Sequence, residues 1–200
     1  MTNVLAALLA ATLSQAESPS LPVVVISTDD SRIVQSCIVQ IAKDAVIRDT
    51  NGDGVIHIAA DGITVEFESG SVLRGASPET PGNTLTGIGI RLDGHKDVVL
   101  KGATVTGFKI GIHATDCPGL WIDGADLSGN FRQRLKSTPE AEDGADWMYP
   151  HHNDNGEWLD KYAAALSVRN ASKISIRNVR VRQGQNGIML DRVTDSRIFD

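Results

Sequence analysis

The chain has 200 residues, 41% hydrophobic and only 4% aromatic, with 19 Lys+Arg against 25 Asp+Glu. That composition supports one globular core and excludes a collagen-like or disordered chain, while a formal charge of −6 leaves no overall basic field for wrapping nucleic acid. Glycine is in excess at 19 residues, above the roughly 7% of average chains and without the proline surplus of low-complexity sequence, so many tight turns are expected.

The first segment carries the apolar run Val4-Leu5-Ala6-Ala7-Leu8-Leu9-Ala10-Ala11 ahead of Ser14-Gln15-Ala16. A short apolar run followed by a small-x-small site reads as a signal peptide over 1–16, which implies a secreted or periplasmic protein. The run is too short for a permanent membrane span, and no later segment approaches that length. Residues 17–54 are expected to form an irregular N-terminal cap or first turn. Within them Ile38-Val39-Gln40-Ile41 favours strand through its β-branched residues. Cys37 and Cys117 are the two cysteines; they match no zinc spacing and read as buried small hydrophobes.

Asp49-Thr50-Asn51-Gly52-Asp53-Gly54 matches the first half of a calcium loop, with Asp49, Asn51 and Asp53 as candidate ligands. Position twelve is Ala60 rather than a bidentate Glu, and strand-like sequence flanks both sides. A turn built on Asn-Gly and Asp-Gly is therefore favoured, and no cofactor is expected.

From Val55 onward the chain repeats. Ile90 and Ile112 are 22 residues apart, as are Leu166 and Ile188; Ile112 and Leu166 are separated by one period plus 32 residues. Ten positions on stand Leu100, Ile122, Ile176 and Ile198, and fifteen on stand Val105, Leu127 and Val181. Apolar residues alternate with polar ones, while Gly102, Gly124 and Asn178 mark equivalent turns. Each unit thus reads as three very short strands that cannot bury an apolar side alone, and stacked units form a coil of parallel strands. Ile56 fits as an earlier turn, and the sequence stops at Asp200 in mid-repeat, as though cut through a longer solenoid.

The turns Gly111-Ile112-His113-Ala114-Thr115-Asp116-Cys117-Pro118-Gly119-Leu120-Trp121-Ile122 and Asn186-Gly187-Ile188-Met189-Leu190-Asp191-Arg192-Val193-Thr194-Asp195-Ser196-Arg197-Ile198 resemble right-handed parallel β-helix proteins of the pectin-lyase-like superfamily. The resemblance covers 55–200. It implies an all-β solenoid with polysaccharide as partner, and spans activities from lyases, hydrolases and epimerases to non-catalytic adhesins and scaffolds; fold alone does not choose among them.

Two insertions leave the coil at the same corner, near Ser77 to Thr86 and over 132–163, and are expected to wall a groove. Its expected floor is Phe108-Lys109 with the outward residues Arg91, Asp93, His113, Thr115, Ser167, Arg169, Met189 and Asp191. The larger insertion holds both tyrosines, Tyr149 and Tyr162, two of the three tryptophans, Trp147 and Trp158, and the pair His151-His152. Such aromatics suit either sugar stacking or a satellite core that folds the loop onto the coil. Trp121 falls on an outward position and is a further candidate for substrate contact, with Trp147, Tyr149, Trp158, Arg91 and Lys109.

If the chain acts on a uronate polymer, chemistry needs a base to remove the proton α to the carboxylate and cations to hold the developing charge. His113 or His151 would be the base and Arg169 or Lys136 the cation; Asp191 and Asp154 would instead be the carboxylate pair of a hydrolase. Other charges read as structure: Lys101, Asp123 and Arg177 share one outward column as a ladder of alternating sign. Asn170-Ala171-Ser172 is formally a glycosylation sequon, but its Asn suits a turn. Residues 161–200 carry eight Lys+Arg against three Asp, a basic excess that would suit an anionic polymer.

Overall fold

A computed structural model describes residues 20–147 and 153–200. The proposed leader over 1–16, together with Tyr149 and His151, lies outside the described residues.

The protein is nearly all β. Its strands are β1 (Val23–Ile26), β2 (Ser31–Ile33), β3 (Cys37–Ile41), β4 (Ile56–Ile58), β5 (Thr64–Phe67), β6 (Leu73–Arg74), β7 (Ile88–Asp93), β8 (Val99–Lys101), β9 (Val105–Thr106), β10 (Ile110–Thr115), β11 (Trp121–Asp123), β12 (Ala164–Ser172), β13 (Ser175–Arg177), β14 (Ile188–Thr194) and β15 (Arg197–Phe199). One short helix, α1 (Glu157–Tyr162), belongs to the larger insertion.

Strands adjacent in sequence belong to different sheets. The seven-stranded sheet runs β1-β3-β5-β8-β11-β13-β15, and the six-stranded sheet runs β14-β12-β10-β7-β4-β2. A smaller pair, β6-β9, is prolonged by bridges from Thr104 to Asp126 and from Asp126 to Arg180. Every pairing among these strands is parallel, and each strand lies beside its counterpart from the previous turn. This is the pairing a β-solenoid requires.

The register follows the 22-residue period. Ile56, Ile90, Ile112, Leu166 and Ile188 form one column, and Val65, Leu100, Ile122, Ile176 and Ile198 form another. Period two turns one residue in two inward, so Ile90, Leu100, Ile112, Ile122 and Leu166 are fully enclosed. Turn chemistry fits as well: Gly102, Gly124 and Asn178 are all left-handed, with φ of 65°, 70° and 52°, a region open to glycine and tolerated by Asn. Gly89 is required for space, since a Cβ there would stand 2.4 Å from Val105 Cγ1.

The N-terminal segment is more regular than a cap. β2 pairs with β4 and β3 pairs with β5 in the same columns, while β1 adds outside β3 and leaves Val23 and Val25 exposed.

The corner between the small pair and the six-stranded sheet is fixed by Asn130, only 2% exposed. Its Oδ1 accepts from the Phe108 N–H at 2.9 Å, and its Nδ2 donates to the carbonyls of Val105 and Leu127, both at 2.9 Å. One amide thereby joins consecutive turns at the point from which the insertions depart. The larger insertion closes with its own apolar cluster of Ile88, Ile110 and Ala163, against which Phe131 and Leu159 pack. Tyr162 is buried and donates its hydroxyl to the Trp147 carbonyl at 3.2 Å.

Candidate functional site

The two insertions meet. Arg132 N–H donates to the Gly82 carbonyl at 3.1 Å, and Lys109 N–H donates to Thr86 O at the same distance. The loops therefore do not stand apart over the six-stranded sheet as expected; they enclose a cleft along the corner itself. One part, about 420 Å³, is lined by Arg74, Ser77, Thr80, Thr106, Asn130, Arg132 and Gln183, among others. A second cavity of about 740 Å³ shares Gly82 and Arg132 with it and adds Asn83, Gln133, Arg134 and Gln185. A third, of about 420 Å³, shares Ala76, Thr80, Leu85 and Gly107 and reaches Arg48 and Asp49.

This corrects the expected floor. Phe108 is buried beneath the corner, and none of Arg91, Asp93, His113, Thr115, Ser167, Arg169, Met189 or Asp191 lines any of the three cavities. The cause is the Gly82–Arg132 contact, which draws the first loop against the start of the second.

The cleft is cationic. Arg48, Arg74, Arg132 and Arg134 line it, and among the described residues none of them is in an ion pair. Among the described residues Asp49 is the one carboxylate in its lining, and both of its oxygens are engaged: Oδ1 accepts from Gly52 N–H and Oδ2 from Ile88 N–H, each at 2.7 Å. Asn51 Oδ1 accepts from Asp53 N–H at 3.1 Å. The side chains of Asp49 and Asn51 thus hold the turn that Asn-Gly and Asp-Gly favour.

The outer face of the six-stranded sheet holds the residues considered for catalysis. Arg91, His113, Ser167 and Met189 share one column, and Asp93, Thr115, Arg169 and Asp191 the next. Arg169 Nε lies 3.1 Å from Asp191 Oδ2, and Arg91 Nη2 lies 3.3 Å from Asp93 Oδ2, so both guanidiniums already have carboxylate partners. Burial pushes the His113 imidazole down to about 4; the nearby Arg91 and Arg169 charges add to this, and Asp93 opposes it. His113 Nε2 is 3.3 Å from Thr115 Oγ1, while its buried Nδ1 has no hydrogen-bond partner.

The insertion comes close to this face near Gly156, where a Cβ would stand 3.4 Å from Arg169 Nη1. Asp154 is exposed on the same turn. Lys136 is exposed too, and its N–H and that of Ser137 bind the Asp146 carboxylate. Those bonds, the Ser137 N–H foremost, hold Asp146 below the usual carboxylate range. Trp147 is exposed and Trp158 half-buried, so Tyr162 and Leu159, rather than the tryptophans, carry most of the satellite core.

Trp121 is exposed on the seven-stranded sheet, with the Arg177 guanidinium 5.1 Å from its ring centroid. Lys101, Asp123 and Arg177 are register neighbours as the ladder required, and Arg177 Nη2 donates to Asp123 at 2.6 Å. Cys37 and Cys117 are free and buried, and burial raises both thiols.

Sequence reasoning missed Arg48, Arg74 and the glutamines at 183 and 185. Arg74 had a signal, because it ends the third strand of a turn, just before the corner where an insertion departs. Comparison with protein-family models, curated proteins and solved structures gave no match.

Proposed function

We propose that this is an exported right-handed parallel β-helix protein that binds an anionic polysaccharide in the cleft between its two insertions. The right-handed form follows from the strong preference of parallel crossover connections for that hand, and export from the leader-like first sixteen residues. The observation that carries the binding reading is the lining itself: four arginines without ion-pair partners and no free carboxylate, in a chain of net charge −6. Guanidinium matches carboxylate or sulfate in two-point fashion. Ser77, Thr80, Thr106, Asn83, Gln133, Gln183 and Gln185 add hydroxyl and amide groups suited to sugar hydroxyls. The linked cavities favour an extended chain over a compact molecule.

A second reading adds modification of that polymer by lyase or epimerase chemistry, with His113 as base. Its support is a neutral imidazole with a buried unpartnered nitrogen between Arg91 and Arg169. A depressed histidine is a weak proton acceptor, and both arginines are already paired, so binding is the better-supported function.

Calorimetric titration with polyuronate and neutral oligosaccharides tests the first reading. Polyuronate should bind with an affinity that falls as salt rises, and Arg74→Ala with Arg132→Ala should weaken it by roughly tenfold or more, since charge-assisted contacts contribute about 1.5–3 kcal/mol each. Equal binding of neutral glycans, or full affinity in the double variant, would sink it. Unsaturated product or new reducing ends, lost in His113→Gln, would establish the second reading.

A further inference from the structure

A separate cluster lies at the N-terminal part of the coil, away from the cleft lining. We propose that Asp30, Asp53 and His57 form a divalent-metal site of the zinc class that clamps two neighbouring turns together. His57 Nε2 stands 3.3 Å from Asp53 Oδ1 and 3.6 Å from Asp30 Oδ1, and the three donor atoms all lie within 4.8 Å of one another. Tetrahedral zinc holds nitrogen and carboxylate oxygen at about 2.0–2.2 Å, which sets donors about 3.4 Å apart. The observed separations match that edge length. They are long for a charge-assisted hydrogen bond, whose heavy atoms stand about 2.7–2.9 Å apart. The three side chains converge, with His57 Nε2 within ion-pair distance of both carboxylates.

The donor set selects the metal class. One imidazole with two carboxylates suits zinc or a similar transition ion, whereas calcium takes about 6–8 oxygens. The ligands come from unlike places: His57 sits on β4 within the six-stranded sheet, Asp53 four residues before it, and Asp30 on the turn before β2.

Surrounding groups orient them. Asn51 Nδ2 donates to the Asp30 carboxylate at 3.1 and 3.4 Å, and Asn51 Oδ1 accepts from the Asp53 N–H. Asp29 accepts from Thr50 N–H and Oγ1 at 2.8 and 2.7 Å, tying the two loops together. Metal ligands are characteristically held by such outer bonds. Asp53 and His57 also line a cavity of about 390 Å³ together with Arg32, Arg91, Asp93 and His95, among others, which leaves room for a further ligand. Water would complete the tetrahedron there, or an anion that the two guanidiniums also reach.

The test uses the full chain without an affinity tag, stripped with chelator and titrated with zinc chloride by calorimetry, with cobalt absorbance as a second readout of tetrahedral geometry. One equivalent should bind, and zinc should raise the thermal midpoint because the metal binds only the folded arrangement. Asp30→Asn, Asp53→Asn and His57→Gln should each weaken binding by roughly tenfold or more, while His95→Gln should bind as the parent does. Asp30 and Asp53 are half-exposed, so their variants keep the test open if His57→Gln fails to fold. Absence of saturable binding, or undiminished binding in the Asp30 and Asp53 variants, would overturn the proposal; the second outcome would place the metal elsewhere, as at His151-His152.

Discussion

The outer face of the six-stranded sheet and the corner cleft both present arginines, but only the sheet supplies them with partners. Arg169 has Asp191, its register neighbour on the next turn, and Arg91 has Asp93, two residues on along the same face of its own strand. Arg48, Arg74, Arg132 and Arg134 line a cleft where the coil's register has been interrupted by insertions, and no carboxylate answers them. Two arginines of the regular face are thus engaged by the coil itself, whereas the four of the cleft have no ion-pair partner among the described residues, and this contrast supports the proposed binding at the corner.

The largest effect is expected beneath the cleft. Asn130→Ala removes three hydrogen bonds and strands the buried Phe108 N–H, a loss of about 2–4 kcal/mol at the cost of buried unsatisfied groups. For a chain of this size the thermal midpoint should fall by roughly 5–15 °C, and polyuronate binding should weaken with it. An unchanged midpoint would mean that the corner is not held by this amide.

On the sheet, the sharper probe is pH. His113 is held down to about 4 in the folded protein, against about 6.5 when unfolded. Between those values the unfolded chain binds the extra proton, so stability is full above pH about 6.5 and declines as pH falls toward about 4. The difference corresponds to about 3 kcal/mol. Urea melts across that window should slope accordingly, and His113→Gln should flatten the profile; an equal slope in the variant would assign the effect to other groups.

The smallest effect should come from the ladder on the other sheet. Asp123 is held below the usual carboxylate range first by Arg177 and then by Asn178, so its contribution is present above the ordinary Asp value of about 4 and is lost as pH falls through its lowered one. The pair is solvent-accessible, so Arg177→Ala should lower the thermal midpoint least of the three changes while making Trp121 fluorescence more open to quenching. A polyuronate affinity that also fell would extend the binding surface beyond the corner.

The coil was legible because each column is a repeated choice of residue. The equivalence of Ile90, Ile112, Leu166 and Ile188 needs only the spacing, and the cross-strand pairing of Lys101, Asp123 and Arg177 follows from the same count. The turn that begins at Ile56 fits the spacing less well because Ile56 to Val65 is one residue shorter than Ile90 to Leu100. That Asn130 is buried and joins two turns has no counterpart in the repeated columns.

The sequence by itself determined the period, the inward columns, the outward ladders and the corner from which the insertions leave, since these depend on local alternation and turn chemistry repeated along the chain. Only the tertiary structure decided that the insertions touch at Gly82 and Arg132, that the cleft therefore lies on the corner, and that Asp30, Asp53 and His57 converge. Those results depend on contacts between segments that repeat nothing, where spacing along the chain carries no information about distance in space.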